Sequence, residues 1–104
     1  MARVLLVEDD RLQLEVRCRL LRMAGHDVLA ASNREDAERQ IASCEVLVTD
    51  LIPGSSELLN SAPRQVRVIL LTGRETAPPG LRVDCLLRKP CPTSSLLDAI
   101  SRVC

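Results

Sequence analysis

The residues of this 104-residue chain that could do chemistry stand at the ends of apolar runs. Leu47-Val48-Thr49 leads into Asp50 with no polar approach, and Leu51-Ile52-Pro53-Gly54 follows. A short β-rich run closed by Pro-Gly predicts a buried strand that stops abruptly, with Asp50 at its carboxyl end. Val4-Leu5-Leu6-Val7 leads in the same way into Glu8-Asp9-Asp10, Val66 to Leu71 into Thr72-Gly73, and Val83 to Leu87 into Arg88-Lys89-Pro90. One such residue is ordinary, since a strand-end Asp also serves as a turn-former bonding nearby backbone N–H groups. The combination is more telling, because open α/β sheets place their chemistry at the carboxyl ends of strands.

Carboxylates about 5 Å apart at an effective dielectric near 20 repel by roughly 3 kcal/mol per pair. A cluster of Glu8, Asp9 and Asp50 is therefore costly unless a cation sits among them. Hard oxygen ligands without histidine or cysteine point to Mg²⁺ or Mn²⁺, which keep several waters and take one or two carboxylates plus phosphate oxygens. Lys89 brings an ammonium to the same edge and Thr72 a hydroxyl. A carboxylate nucleophile, a divalent ion, an ammonium and a hydroxyl together suit the stabilisation of a phosphoryl group in transfer.

The elements that must position these groups are five strands at about Val4–Val7, Val28–Ala31, Val46–Thr49, Val66–Leu71 and Val83–Leu87. The first of them, a continuous apolar run, has the pattern of a strand buried on both faces. Asp10 is placed to cap a helix closed by Gly25, with Leu12, Val16, Leu20 and Met23 along one face. Leu14, Cys18 and Leu21 widen its apolar side, and Arg11, Glu15, Arg19 and Arg22 are expected to face water. Ser32 or Asn33 caps a second helix through about Ala42, with Ala37 and Ile41 turned inward. A third helix is expected to be one or two turns around Leu58 and Leu59, ended by Ala62-Pro63. Pro78-Pro79-Gly80 leaves any fourth helix a stub or missing. Pro92-Thr93-Ser94-Ser95 opens a last helix with Leu96, Leu97, Ile100 and Val103 as its stripe. Such an α/β alternation predicts one parallel sheet covered on both faces, in the flavodoxin-like order 2-1-3-4-5, with a short third and a rudimentary fourth helix. Glu8, Asp9 and Asp50 then flank the switch point between the first and third strands.

Composition narrows the function. Phe, Tyr and Trp are absent, so there is no stacking platform for nucleic-acid bases. Fourteen basic and fourteen acidic residues give a formal net charge of zero, without the basic bias of a DNA- or membrane-binding chain. The five cysteines form no C-x-x-C pair and the lone histidine, His26, reads as a loop residue without a chemical role, so a zinc site has no support. Cys18, Cys44 and Cys85 read as core filler, and Cys104 as a terminal, oxidisable thiol. No run approaches a transmembrane length or forms a signal peptide, and the expectation is a cytoplasmic protein, residues 1–104 forming one domain with no appended output domain.

Taken in order, Val4-Leu5-Leu6-Val7-Glu8-Asp9-Asp10, Val48-Thr49-Asp50 with Pro53-Gly54, Leu70-Leu71-Thr72-Gly73 and Arg88-Lys89-Pro90 resemble the receiver (CheY-like) domains of two-component response regulators. The resemblance spans the whole chain. It implies that Asp50 accepts a phosphoryl group from a phosphohistidine on a sensor histidine kinase or phosphotransfer protein, and that Mg²⁺ is held by Glu8, Asp9, Asp50 and the backbone carbonyl of Ile52. Thr72 matches the switch hydroxyl, Lys89 the ammonium, and the Lys89–Pro90 bond is expected to be cis. It further implies a stand-alone signalling domain rather than an enzyme proper, self-catalysed in phosphotransfer and slow in autodephosphorylation. Its downstream partner would be a protein, with neither nucleic acid nor membrane contacted directly, and a weak dimer is left open.

Three departures stand against the family pattern. Pro53 lies three residues after Asp50 rather than four, Leu86 stands where receivers carry Tyr or Phe, and the chain is short around the third and fourth helices. These motivate a second reading, a degenerate receiver that acts as a phosphorylation-independent protein-interaction module.

Overall fold

Every predicted apolar run becomes a strand. The computed structural model describes residues 2–103, so Cys104 lies outside the described residues. In chain order it contains β1 (Arg3–Val7), α1 (Arg11–Met23), β2 (Asp27–Ala31), α2 (Arg34–Gln40), a 3-10 turn at Ile41–Ser43, β3 (Val46–Asp50), α3 (Ser55–Ser61), β4 (Arg67–Thr72), β5 (Cys85–Arg88) and α4 (Thr93–Val103). The five strands form one parallel sheet in the order β2-β1-β3-β4-β5.

Alternation along each strand sorts the core into two layers. Val4, Leu6, Val46, Val48, Ile69 and Leu71 pack with Cys18 and Leu21 of α1 and with Leu96, Ala99 and Ile100 of α4. Leu5, Val7, Leu47 and Val68 pack on the other face with Ala37 of α2 and Leu58 and Leu59 of α3. A seven-residue helix is too short to persist alone. Leu58 and Leu59, 0 % and 1 % exposed, hold α3 by packing instead.

The capping residues behave as their chemistry dictates. Asp10 accepts the backbone N–H groups of Leu12 and Gln13 at 3.0 and 3.2 Å, and Gly25 follows α1 at φ +96°. Asn33, rather than Ser32, caps α2 by accepting the N–H of Asp36 at 2.9 Å. His26 ties down the entry to β1, its Nδ1 accepting the Ala2 N–H at 3.1 Å.

Three expectations are corrected. In α1 the stripe Leu12, Val16, Leu20 and Met23 faces solvent, 36–76 % exposed, whereas Leu14, Cys18 and Leu21 face the sheet. Both stripes have helical spacing, and only the packed structure selects between them. Arg22 does not simply face water either, because its Nη2 donates to the Val28 carbonyl at 2.9 Å. Finally, β5 begins at Cys85 rather than Val83, since Asp84 spends its side chain on the β4 backbone: its Oδ2 accepts the Val68 N–H at 2.8 Å and its own N–H donates to the Val68 carbonyl at 2.9 Å.

Between β4 and β5, residues 73–84 make bends and turns without a helix. Arg82 fastens this crossover to the sheet by donating to the carbonyls of Pro63, Arg64 and Val66 at 3.4, 3.0 and 2.6 Å. Cys18 and Cys44 are buried, and Cys85 is half-buried against the first core layer. No helix among the described residues is long and apolar enough to cross a membrane.

Candidate functional site

Strand register explains why distant residues converge. Val7 is paired with Thr49, so Glu8 and Asp50 leave their strands side by side. Both continue the alternation of the layer under α1 and α4, as does Lys89, two residues after Leu87. Lys89 is brought in by its own backbone, whose N–H donates to the Thr72 carbonyl at 2.8 Å, and the Lys89–Pro90 peptide that follows is cis. The Lys89 ammonium donates to Asp50 Oδ2 at 2.9 Å. Thr72 ends β4 one residue beyond the partner of Asp50 and is 4 % exposed; its hydroxyl oxygen accepts the Arg74 N–H at 3.1 Å.

Glu8 and Asp50 are 2 % and 4 % exposed, deep burial for two acids. Burial pushes the Asp50 carboxyl above the ordinary aspartate value, against the hydrogen bond and charge of Lys89, which pull it down. Sequence reasoning missed a second cation. Arg17 reaches down from α1 and places Nη1 3.6 Å from Asp50 Oδ2 and 3.9 Å from Glu8 Oε2. These separations are ion pairs but too long for hydrogen bonds. Glu8 Oε2, Asp50 Oδ1 and Arg17 Nη1 are accordingly buried without a hydrogen-bond partner. Such groups cost about 1–3 kcal/mol each, more when charged. The arrangement is compensated by charge and is short of hydrogen bonds. The signal for Arg17 was a charged residue between Leu14 and Leu21, on the stripe that packs.

The residues expected to hold Mg²⁺ fit it unequally. The unpartnered oxygens of Glu8 and Asp50 have the hard-ligand chemistry of a divalent-ion site. Asp9 is exposed and lines a neighbouring cleft of about 490 Å³ with Ile52, Pro53, Gly54 and Glu57. Among the described residues no three acidic, histidine or cysteine side chains gather as a metal-holding group, so the expected triple-carboxylate cluster is not formed. The carbonyl of Ile52 already accepts two donors, the Ser55 N–H at 3.0 Å and the Ser55 hydroxyl at 2.8 Å. Ser55 Oγ also accepts the Ile52 N–H at 2.7 Å. The same hydroxyl lies 3.3 Å from the Asp50 carbonyl, so its single proton has two acceptors and the Ile52 carbonyl is shared with Ser55. Ser55 is the second residue the sequence reading passed over, a buried hydroxyl three positions after Ile52 that fixes the tight loop. A larger hollow, about 820 Å³, opens between α1 and β2 and contains none of the strand-end acids.

Sheet order and strand-end chemistry define a doubly wound α/β protein of the flavodoxin-like type, its acids at the switch point. No protein-family model matches the chain. Among solved structures, the receiver domain of the hybrid histidine kinase CckA is 31 % identical, with 97 % of each chain covered and a TM-score of 0.79. The response regulator TrrA of Thermotoga maritima, crystallised in complex with Mg²⁺-BeF, shares the fold at a TM-score of 0.84 and 22 % identity, over 100 % of both chains. Among curated proteins, the transcriptional regulatory protein AruR of Pseudomonas aeruginosa is 37 % identical over 84 residues, 69 % of this chain and 34 % of AruR. The chain thus spans about a third of the length of that relative. It belongs to the family of response regulator receiver domains, which are signalling domains rather than classical enzymes.

Proposed function

We propose that this receiver domain accepts a phosphoryl group on Asp50 from a phosphohistidine of a sensor histidine kinase or phosphotransfer protein, in a Mg²⁺-dependent relay, and signals through a changed protein-binding surface. The observation that carries the reading is the division of labour within one carboxylate. Asp50 Oδ2 is held by Lys89 at 2.9 Å, while Oδ1 has no partner and is the oxygen left to attack.

In the proposed transfer an Oδ1–P bond forms as the P–N bond of the donor imidazole breaks, its electron pair returning to the ring nitrogen. The negative charge carried by the transferring phosphoryl oxygens is met by the Lys89 ammonium, which is already in place and needs little reorganisation. Glu8 and Asp50, with Asp9 beside them, would hold Mg²⁺, which neutralises phosphoryl oxygens when bound. Thr72 would then turn its hydroxyl from the Arg74 N–H toward the new phosphoryl group. An acyl phosphate carries roughly −1.5 to −2 charges where the carboxylate carried −1, so a buried crevice gains up to about one negative charge and three acceptor oxygens, enough to rearrange the groups around it.

Incubation with acetyl phosphate and Mg²⁺ followed by intact mass measurement is the test, with an adduct of about 80 Da expected on the wild type and none on Asp50→Asn. No adduct on the wild type, or the same adduct on Asp50→Asn, overturns the assignment.

A further inference from the structure

We propose that Arg17 is a resident counter-cation of the Glu8–Asp50 pair which a divalent metal has to displace, so that the buried charges of the metal-free site already cancel and its affinity for Mg²⁺ is held low. The inference rests on the reading of Asp50 as acceptor and goes beyond it by naming a residue that sets when the metal can enter.

Two buried acids, Glu8 and Asp50, face two cations, Arg17 and Lys89, within 4 Å. The buried charges sum to zero without a metal, and the carboxylate of Asp9 is exposed beside them. The buried acids therefore lack the excess negative charge that draws a divalent ion to paired carboxylates, and Arg17 lies against the very oxygen of Glu8 that is unpartnered.

Arg17 occupies the face of α1 that carries Leu14, Cys18 and Leu21 onto the core, where an aliphatic side chain would pack without desolvating a charge. Its side chain is only 16 % exposed, and Nη1 is buried with no hydrogen bond. A guanidinium kept from water at that cost has the acids as its compensation.

At 3.6 and 3.9 Å Arg17 is held by charge and not by the paired hydrogen bonds of a guanidinium fork. A long side chain held in this way can swing out beside α1 when a stronger cation arrives.

The test uses the full chain and MgCl₂ alone, with no phosphoryl donor, so that its outcome is independent of whether Asp50 is phosphorylated. Magnesium is titrated into ¹⁵N-labelled protein, and the affinity is read from backbone shifts around Glu8 and Asp50. Arg17→Leu is expected to bind Mg²⁺ about tenfold or more tightly than the wild type, and Arg17→Lys, which keeps the charge, to stay near the wild type. Equal or weaker binding by a folded Arg17→Leu overturns the proposal. Should that variant fail to fold, the wild type decides: the Arg17 Nε–Hε signal must shift and exchange faster with water as magnesium saturates the site. An unmoved Arg17 signal alongside shifting Asp50 neighbours overturns it equally.

Discussion

At the scale of single residues, burial shifts the ionisation of a few groups, Cys44 most clearly. Cys44 is 7 % exposed and its Sγ donates to the Ile41 carbonyl at 3.2 Å, and burial pushes its thiol up from 9.0 to about 11. Below pH 9 the thiol is protonated in both folded and unfolded chains. Between about 9 and 11 the unfolded chain ionises first and the folded one holds its proton, so stability falls as pH rises through that window. The loss reaches about 2–3 kcal/mol. Urea unfolding of wild type and Cys44→Val at pH 8 and pH 11 checks it, the wild type being expected to lose more than the variant. The same scale explains what was legible of the site. Asp50, Glu8, Thr72 and Lys89 stood out because each interrupts an apolar run. Arg17 did not, because an arginine in a helix ordinarily reads as a solvated charge, and neither did the sharing of the Ile52 carbonyl, which depends on where the Ser55 hydroxyl points.

At the scale of elements, the strands were legible because short apolar runs bounded by turn residues are too brief for helices, even where, as in β2 and β5, they are only partly buried. Helix α1 was not, since it carries two apolar stripes and periodicity alone does not say which meets the sheet. The turn between β3 and α3 is similarly decided by its surroundings. Gly54 stands at φ +85° at the amino end of α3, and a Cβ there would meet Arg34 Cδ at 2.7 Å. Alanine at this position adds the left-handed penalty of about 1–2 kcal/mol to the displacement of Arg34. Gly54→Ala is therefore expected to lower the unfolding free energy by at least that amount, and a denaturation midpoint equal to the wild type's would contradict the described turn.

At the scale of the whole molecule, the zero formal charge gives no net long-range attraction toward partners of either sign. Recognition must come from contact. The exposed row Leu12, Val16 and Leu20 on α1 lies on the helix that also carries Arg17 to the acceptor. A phosphohistidine donor protein needs such a contact surface, whereas acetyl phosphate needs none. Val16→Asp is accordingly expected to slow transfer from a phosphorylated donor protein by about tenfold or more, leaving the acetyl phosphate reaction unchanged. Equal slowing of both reactions would locate the effect in the crevice and not on the helix.

The helix-free crossover from Gly73 to Asp84 has a consequence of its own. Arg82 and Asp84 buckle its far end to the sheet just ahead of β5, so the register that delivers Lys89 to Asp50 is set after the slack has been taken up. Arg74 and Glu75 stay tied to Thr72 and Arg88, so it is the stretch from Thr76 to Gly80 whose length and composition can change while the ammonium stays where it is.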